Sequence, residues 1–131
     1  MYLLDTNACI AALTGRSTTL VHRLRSVSAT EMAVCSVVKA ELFFGARKSQ
    51  RVEQDLMLLH EFFAPFTSLP FDDKAAEHYG AIRAELASAG RPIGPNDMLI
   101  AAIARARDVV LITNNVGEFS RVAGLRTDNW Q

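Results

Sequence analysis

Three carboxylates in this chain stand where an ordinary surface role does not suit them: Asp5, Glu41 and Asp97. Asp5 closes the apolar run Tyr2-Leu3-Leu4, and Thr6-Asn7 follows before the apolar stretch Ala8 to Leu13, which Asn7 is suited to cap. That junction reads as the carboxyl end of a parallel strand, the edge of an open α/β sheet where ligands bind. Glu41 lies in a segment running from Ser36 to Ala46, where Ser36 can cap a helix. On that helix it shares a face with Val37, Phe44 and Gly45. A charged Glu on a buried face is costly without a partner, and metal coordination is one way to offset its desolvation. Asp97 follows Gly94-Pro95-Asn96 and opens Met98 to Ala106, a helix apolar nearly all round. Each acid has a plainer reading: a helix cap for Asp5, a salt bridge to an arginine for Glu41, and an N-terminal acid favoured by the macrodipole for Asp97. Together they allow more, because acids at strand exits and helix starts converge on one sheet edge.

Carboxylates bind hard cations through oxygen, and magnesium takes one or two of them while keeping waters. A metal so held activates water and neutralises charge on a phosphate being cut, which is the logic of metal-assisted phosphodiester cleavage. Thr6 and Asn7 beside the first acid support such a site. So does the exit Leu111-Ile112-Thr113-Asn114-Asn115, where Thr113 offers a hydroxyl, Asn115 a neutral ligand and Glu118 the nearest further acid. No rival catalytic set competes. His22, His60 and His78 lack metal-protease spacing, and no glycine-rich phosphate loop follows a strand.

The elements that must position these groups are legible as alternating patterns. Residues 2 to 5, 32 to 35, 66 to 69 and 109 to 112 are short apolar runs beside polar breakers and predict buried strands. An amphipathic helix is expected over 51 to 64, ended by Pro65, and a second from an N-cap at Asp72 or Asp73 to Gly90 with Pro92 beyond. Strands alternating with helices imply right-handed crossovers: an α/β fold with a mostly parallel sheet of four to five strands and helices on both faces. With 131 residues, half of them apolar, the whole of 1–131 is expected to be one domain. Fourteen basic and 14 acidic residues cancel, so any affinity for nucleic acid has to be local. Cys9 and Cys35 sit in apolar stretches and read as buried thiols. The chain opens on its first strand without a basic leader and long apolar run. A reducing cytoplasm is the expected setting, with no membrane attachment.

Taken together, Leu3-Leu4-Asp5-Thr6-Asn7, Ser36 to Gly45 with Glu41, Gly94-Pro95-Asn96-Asp97 and Thr113-Asn114-Asn115 resemble the PIN-domain ribonucleases in order and spacing over the whole chain. More narrowly, Arg83 to Ala87, Gly90 to Asp97 and the ending Gly124 to Trp130 resemble the VapC toxins of bacterial VapBC toxin-antitoxin pairs. The resemblance implies a three-layer PIN fold and a magnesium- or manganese-dependent endoribonuclease that inhibits translation. It also implies a homodimer, silenced by a cognate VapB antitoxin whose C-terminal segment occupies the active-site groove and which alone contacts operator DNA. Asp5, Glu41 and Asp97 match the family's three principal acids. A fourth acid commonly follows the last strand, where this chain has Asn115, so Glu118 is the candidate substitute, acting through a water. Several similar toxins cut initiator tRNA, which makes a tRNA the expected substrate. Arg16, Arg23, Arg25, Arg47, Lys48 and Arg91 are the candidate backbone contacts, since a folded RNA is recognised by shape and phosphate.

Two other functions fit parts of the pattern. A magnesium-dependent phosphatase or phosphotransfer domain also uses a strand-end Asp and Thr. A dehalogenase-like enzyme, though, needs a second Asp where Asn7 stands, and both it and a receiver domain want a late lysine, whereas Lys74 is the last. A non-catalytic RNA- or protein-binding module would need all three acids to be coincidental helix caps.

Overall fold

A computed structural model describes all of residues 1–131. Its sheet is built from five short strands, β1 (Tyr2–Leu4), β2 (Met32–Cys35), β3 (Thr67–Leu69), β4 (Val110–Ile112) and β5 (Thr127–Asp128). They lie in the order β3-β2-β1-β4-β5, and every pairing is parallel. The helices that flank this sheet are α1 (Thr6–Thr14), α2 (Thr18–Ser26), α3 (Ser36–Arg47), α4 (Val52–Phe63), α5 (Asp73–Ser88), α6 (Pro95–Arg107) and α7 (Val116–Phe119). The fold is therefore α/β, as expected, with a sheet that is wholly rather than mostly parallel. The chain builds outward from β1 to β2 and β3, then returns to lay β4 on the other side of β1. That reversal puts a crevice at the carboxyl ends of β1 and β4, where a parallel sheet receives ligands.

The four apolar runs became β1 to β4 within a residue or two. β5 had no sequence signal, because two residues carry no periodicity. It is held by β4, whose Leu111 N–H donates to the Arg126 carbonyl (2.9 Å), and by Thr113 just beyond it, whose N–H donates to the Asp128 carbonyl (3.0 Å). The expected helix at 51–64 is α4. α5 begins as predicted, with the Asp72 carboxylate accepting from the Ala75 N–H at 3.0 Å. Its end runs into Gly90, whose φ of +64° is in the left-handed region where a side chain is disfavoured. α6 starts with Pro95 at its first turn and buries Met98, Ile100, Ala101, Ala102, Ile103, Ala104 and Ala106, so it is the enclosed helix that its composition predicts.

Two cap assignments need correction. Asn7 does not cap α1: Asp5 does, through Oδ1 and the Ala8 N–H at 2.7 Å, because the extended residue at the strand exit is the one positioned to reach back. Ser36 does not cap α3 either. It is the first helical residue and is exposed, while Cys35 takes the cap position with no side-chain bond. Thirty-three buried apolar residues form one core cluster, and Cys9 and Cys35 lie in it as free thiols. No helix is long and apolar enough to cross a membrane.

Candidate active site

Asp5 and Thr113 leave adjacent strands side by side. β1 pairs with β4 through Leu4 and Ile112, and the Asp5 N–H donates to the Ile112 carbonyl at 3.1 Å. Asp5 is only 5% exposed. Burial raises its pKa, bonds from the Thr113 hydroxyl and the Ala8 N–H pull it back, and the charge of Glu41 raises it further. Thr113 is itself buried, and its hydroxyl oxygen accepts from the Asn115 N–H at 2.9 Å. Asp5 thus caps α1 while lying at the same sheet edge as Thr113.

Glu41 reaches the same edge from α3, where its Oε1 accepts from the Thr6 hydroxyl at 3.0 Å. The arginine partner considered for it is absent. The three ion pairs of the molecule are Met1 amino group to Glu31, Arg107 to Asp72 and Arg126 to Asp108. Its face is not buried as expected: Glu41 is half-buried and Phe44 is 63% exposed. The reason is that α3 borders open grooves on both sides of Glu41. One, towards α1 and α4, is lined by Thr6, Ile10, Leu42 and Leu58 among others, and the other, towards α6, by Ser36, Phe44, Asn96 and Leu99.

Asp97 is the third residue of α6. A helix N-terminus favours a charged acid, yet here the opposite effect wins, and its pKa is pushed up to about 6. Burial is the largest cause, followed by the negative charges of Glu118, Glu41 and Asp5 and a hydrogen bond with Glu118. Four acids therefore share one field, with no basic side chain paired to any of them. Glu118 stands at the same edge as Asp97. Its Oε1 accepts from the Gly94 N–H at 2.9 Å, and its Oε2 meets the Asn115 amide. Gly94 sits between the two carboxylates, since a Cβ there would stand 3.4 Å from Asp97 Oδ2 and 4.0 Å from Glu118 Oε1.

As the side chains stand, no three His, Cys, Asp or Glu residues are grouped to hold a metal ion. Like charges without a counter-ion repel one another, and at Asp97 that repulsion adds to burial in raising the pKa. The donor chemistry nevertheless fits a hard divalent cation: carboxylate and hydroxyl oxygens, two raised acids and no competing base.

The supporting residues divide. Thr6, Thr113, Asn115 and Glu118 are joined to the acids by the bonds given above, whereas the Asn7 side chain is exposed and takes no part. Among the basic residues, Arg16, Arg25, Arg47, Lys48 and Arg91 are exposed. Arg23 is engaged elsewhere, its guanidinium 4.7 Å over the ring of Trp130, which packs on Tyr2. The histidines stay out of the site: His22 is exposed, His60 stacks on Phe43 and His78 accepts from Arg105 at 2.9 Å. Sequence reasoning missed Arg121. It donates to the Pro92 carbonyl at 3.0 Å and ties the segment after α7 to the loop carrying Gly94. Its place three residues after Glu118 was the available signal.

A family profile described as PIN domain matches residues 2–125. The chain is also 43% identical to the tRNA(fMet)-specific endonuclease VapC of Shigella flexneri over 98% of its own length and 97% of that protein's. This chain belongs to the PIN-domain family, in its VapC branch. The DNA-bound VapBC crystal structure from Salmonella typhimurium superposes on this PIN domain with a TM-score of 0.93 at 38% identity, covering 99% of this chain and 98% of that one. The VapBC2 structure from Rickettsia felis, bound to a promoter DNA fragment, gives 0.92 at 36% identity over the same shares. Within this VapC fold, Glu118 stands near Asp97, and Asn115 contributes its amide to Glu118.

Proposed function

We propose that this PIN domain is a divalent-cation-dependent endoribonuclease toxin that cuts a tRNA, and that a VapB-type antitoxin silences it. The observation that carries the reading is the group of four acids at the β1–β4 crevice, unpaired by any cation of the protein's own. Uncompensated carboxylates raise one another's pKa and weaken the fold, a cost that a structural role would not require. Relatives named as a tRNA(fMet)-specific endonuclease and as ribonucleases support RNA as the substrate, and initiator tRNA as its first candidate. Solved complexes named VapBC support an antitoxin partner, and two of those complexes are bound to DNA.

Asp5, Glu41 and Asp97 would hold magnesium or manganese. When bound, the ion supplies positive charge at the scissile phosphate and lowers the pKa of water there. The chain's own groups do the positioning. Thr113 and the Ala8 N–H fix the Asp5 carboxylate, Thr6 aims Glu41, and Gly94 with Asn115 hold Glu118 beside Asp97, whose raised pKa lets it keep a proton. The attacking water approaches in line with the departing 3′ oxygen, leaving a 5′ phosphate and a 3′ hydroxyl.

Sequencing of RNA ends after brief expression, with Asp5→Asn as control, tests both claims. The expected result is a small set of new ends bearing 5′ phosphate in the wild type alone. Ends carrying a 2′,3′-cyclic phosphate would overturn the mechanism, because they mark attack by the ribose hydroxyl. Intact RNA beside phosphate release from small phosphomonoesters would replace the function itself.

A further inference from the structure

The segment Pro92-Ile93-Gly94 leads the chain into α6 and so decides where Asp97 stands. Gly94 lies directly against that acid, since a Cβ built on it would stand 3.4 Å from Asp97 Oδ2. The backbone does little to hold this segment. Pro92 has no N–H, Ile93 makes no backbone hydrogen bond, and the Gly94 carbonyl is taken by the Met98 N–H of α6 at 3.0 Å. Burial of Ile93 fixes the depth of the segment but is non-directional. The two hydrogen bonds that tie it to another element come from one turn. Glu118 Oε1 accepts from the Gly94 N–H at 2.9 Å and Arg121 donates to the Pro92 carbonyl at 3.0 Å, across 24 and 29 positions. The Arg121 N–H donates to the Glu118 carbonyl at 3.1 Å, which puts the two residues one turn apart. They are neighbours of opposite charge and yet form no ion pair. Each side chain is turned to the loop instead, one on a donor and one on an acceptor. The two holds differ in kind. Glu118 belongs to the four-acid group, so a cation arriving there competes for its carboxylate. The Arg121 guanidinium stays charged at every working pH, ligates no cation and escapes that competition.

We propose that Arg121 is a positioning residue for the cation site: its bond to the Pro92 carbonyl holds the Gly94 segment, and with it Asp97, at the β1–β4 crevice independently of the Glu118 carboxylate. The cation rests on the reading under Proposed function; the clasp on the loop is a property of the metal-free chain. The sign of the effect separates this role from a purely electrostatic one. Removing a positive charge one turn from Glu118 tightens cation binding if only the field matters, whereas loss of positioning loosens it.

Two measurements on the full chain test the role. In EDTA, amide hydrogen exchange at Gly94 and Met98 should quicken about tenfold in Arg121→Met and return to near the wild-type rate in Arg121→Lys. Exchange in the rest of α5 and α6 should stay as it was, and Tm should fall by no more than about 3 °C, since a single exposed hydrogen bond is lost. With manganese and no RNA, electron paramagnetic resonance of the free ion should show binding about tenfold weaker in Arg121→Met and within about twofold of wild type in Arg121→Lys. Arg126→Met, which removes another exposed arginine, bonded to Asp108, should change neither measurement. Equal exchange at Gly94 and Met98 in wild type and Arg121→Met would overturn the role, as would manganese bound equally or more tightly by Arg121→Met. So would a large loss of Tm that Arg121→Lys does not restore, because the residue would then serve the fold as a whole. A loss of RNA affinity in EDTA with manganese binding intact would make Arg121 an RNA contact and overturn it too. A wild type that binds no manganese overturns the cation reading and the role with it, and faster exchange in Arg121→Met would then leave the clasp alone standing.

Discussion

Replacing Asp97 by Asn should make the metal-free protein more stable at neutral pH, even though it removes a charged group from a helix N-terminus. The sign follows from the direction of the pKa shift. A carboxyl raised from 3.8 to about 6 keeps its proton in the folded chain while the unfolded chain has already released it. Stability is therefore greatest below about pH 4 for this group and is lost as pH climbs through the interval up to about 6. The full shift corresponds to about 3 kcal/mol at pH 7. Asp97 is only partly buried, so solvent screening reduces the expected cost to about 1–2 kcal/mol. Asparagine carries no charge and can still donate to Glu118, so Asp97→Asn recovers that amount. For 131 residues this is a rise in Tm of about 4–7 °C. The assay is thermal unfolding in EDTA at pH 5, 6 and 7, where the gap between variant and wild type should open as pH rises. A gap that is absent at pH 7, or that narrows from pH 5 to 7, would refute the claim that mutual repulsion and burial dominate at Asp97.

Manganese should raise the Tm of the wild type by mass action, about 2.7 kcal/mol at a hundredfold excess over Kd, and Asp5→Asn or Asp97→Asn should abolish the effect. That rise should grow from pH 5 to pH 7.5, because ligation needs ionised carboxylates; an equal rise in all three proteins would place the ion elsewhere. Thr6→Val leaves Glu41 without its hydroxyl donor and should cost about 1 kcal/mol in denaturant unfolding, with a larger proportional loss in cleavage than in RNA affinity. Ile103→Ala, at a fully buried position of α6, should cost about 2–5 kcal/mol in urea unfolding and spare manganese binding by the fraction still folded.

The parts of the fold set by local chemistry were visible in the sequence, and the parts set by distant partners were not. β1, β2 and β4 announced themselves as apolar runs because they are largely buried, and α6 because it is enclosed, whereas β3 at the sheet edge exposes Thr67 and Ser68. β5 exists only because β4 offers it an edge. Among the acids, position was legible and pairing was not. Thr6 meets Glu41 across 35 positions and Glu118 meets Gly94 across 24, and neither contact leaves a periodic trace. The missed cap shows the same division: Asn7 is the better cap by composition near a helix start, yet the strand exit aims Asp5 instead. Phe44 looked buried because helical offsets report which residues share a face and say nothing about whether another element covers it.

The central place of β1 has a consequence for synthesis. The first strand made is flanked on one side by β2, about 30 residues later, and on the other by β4, more than 100 residues later. Contacts of such sequence separation form slowly and late. Thr113 and Glu118 arrive with or after that last pairing, so the crevice is finished only when nearly the whole chain has left the ribosome. A nascent or truncated chain ending before Val110 would carry Asp5, Glu41 and Asp97 but lack β4, and with it Thr113 and Glu118. This strand order delays assembly of the four-acid crevice until synthesis of the chain is nearly over.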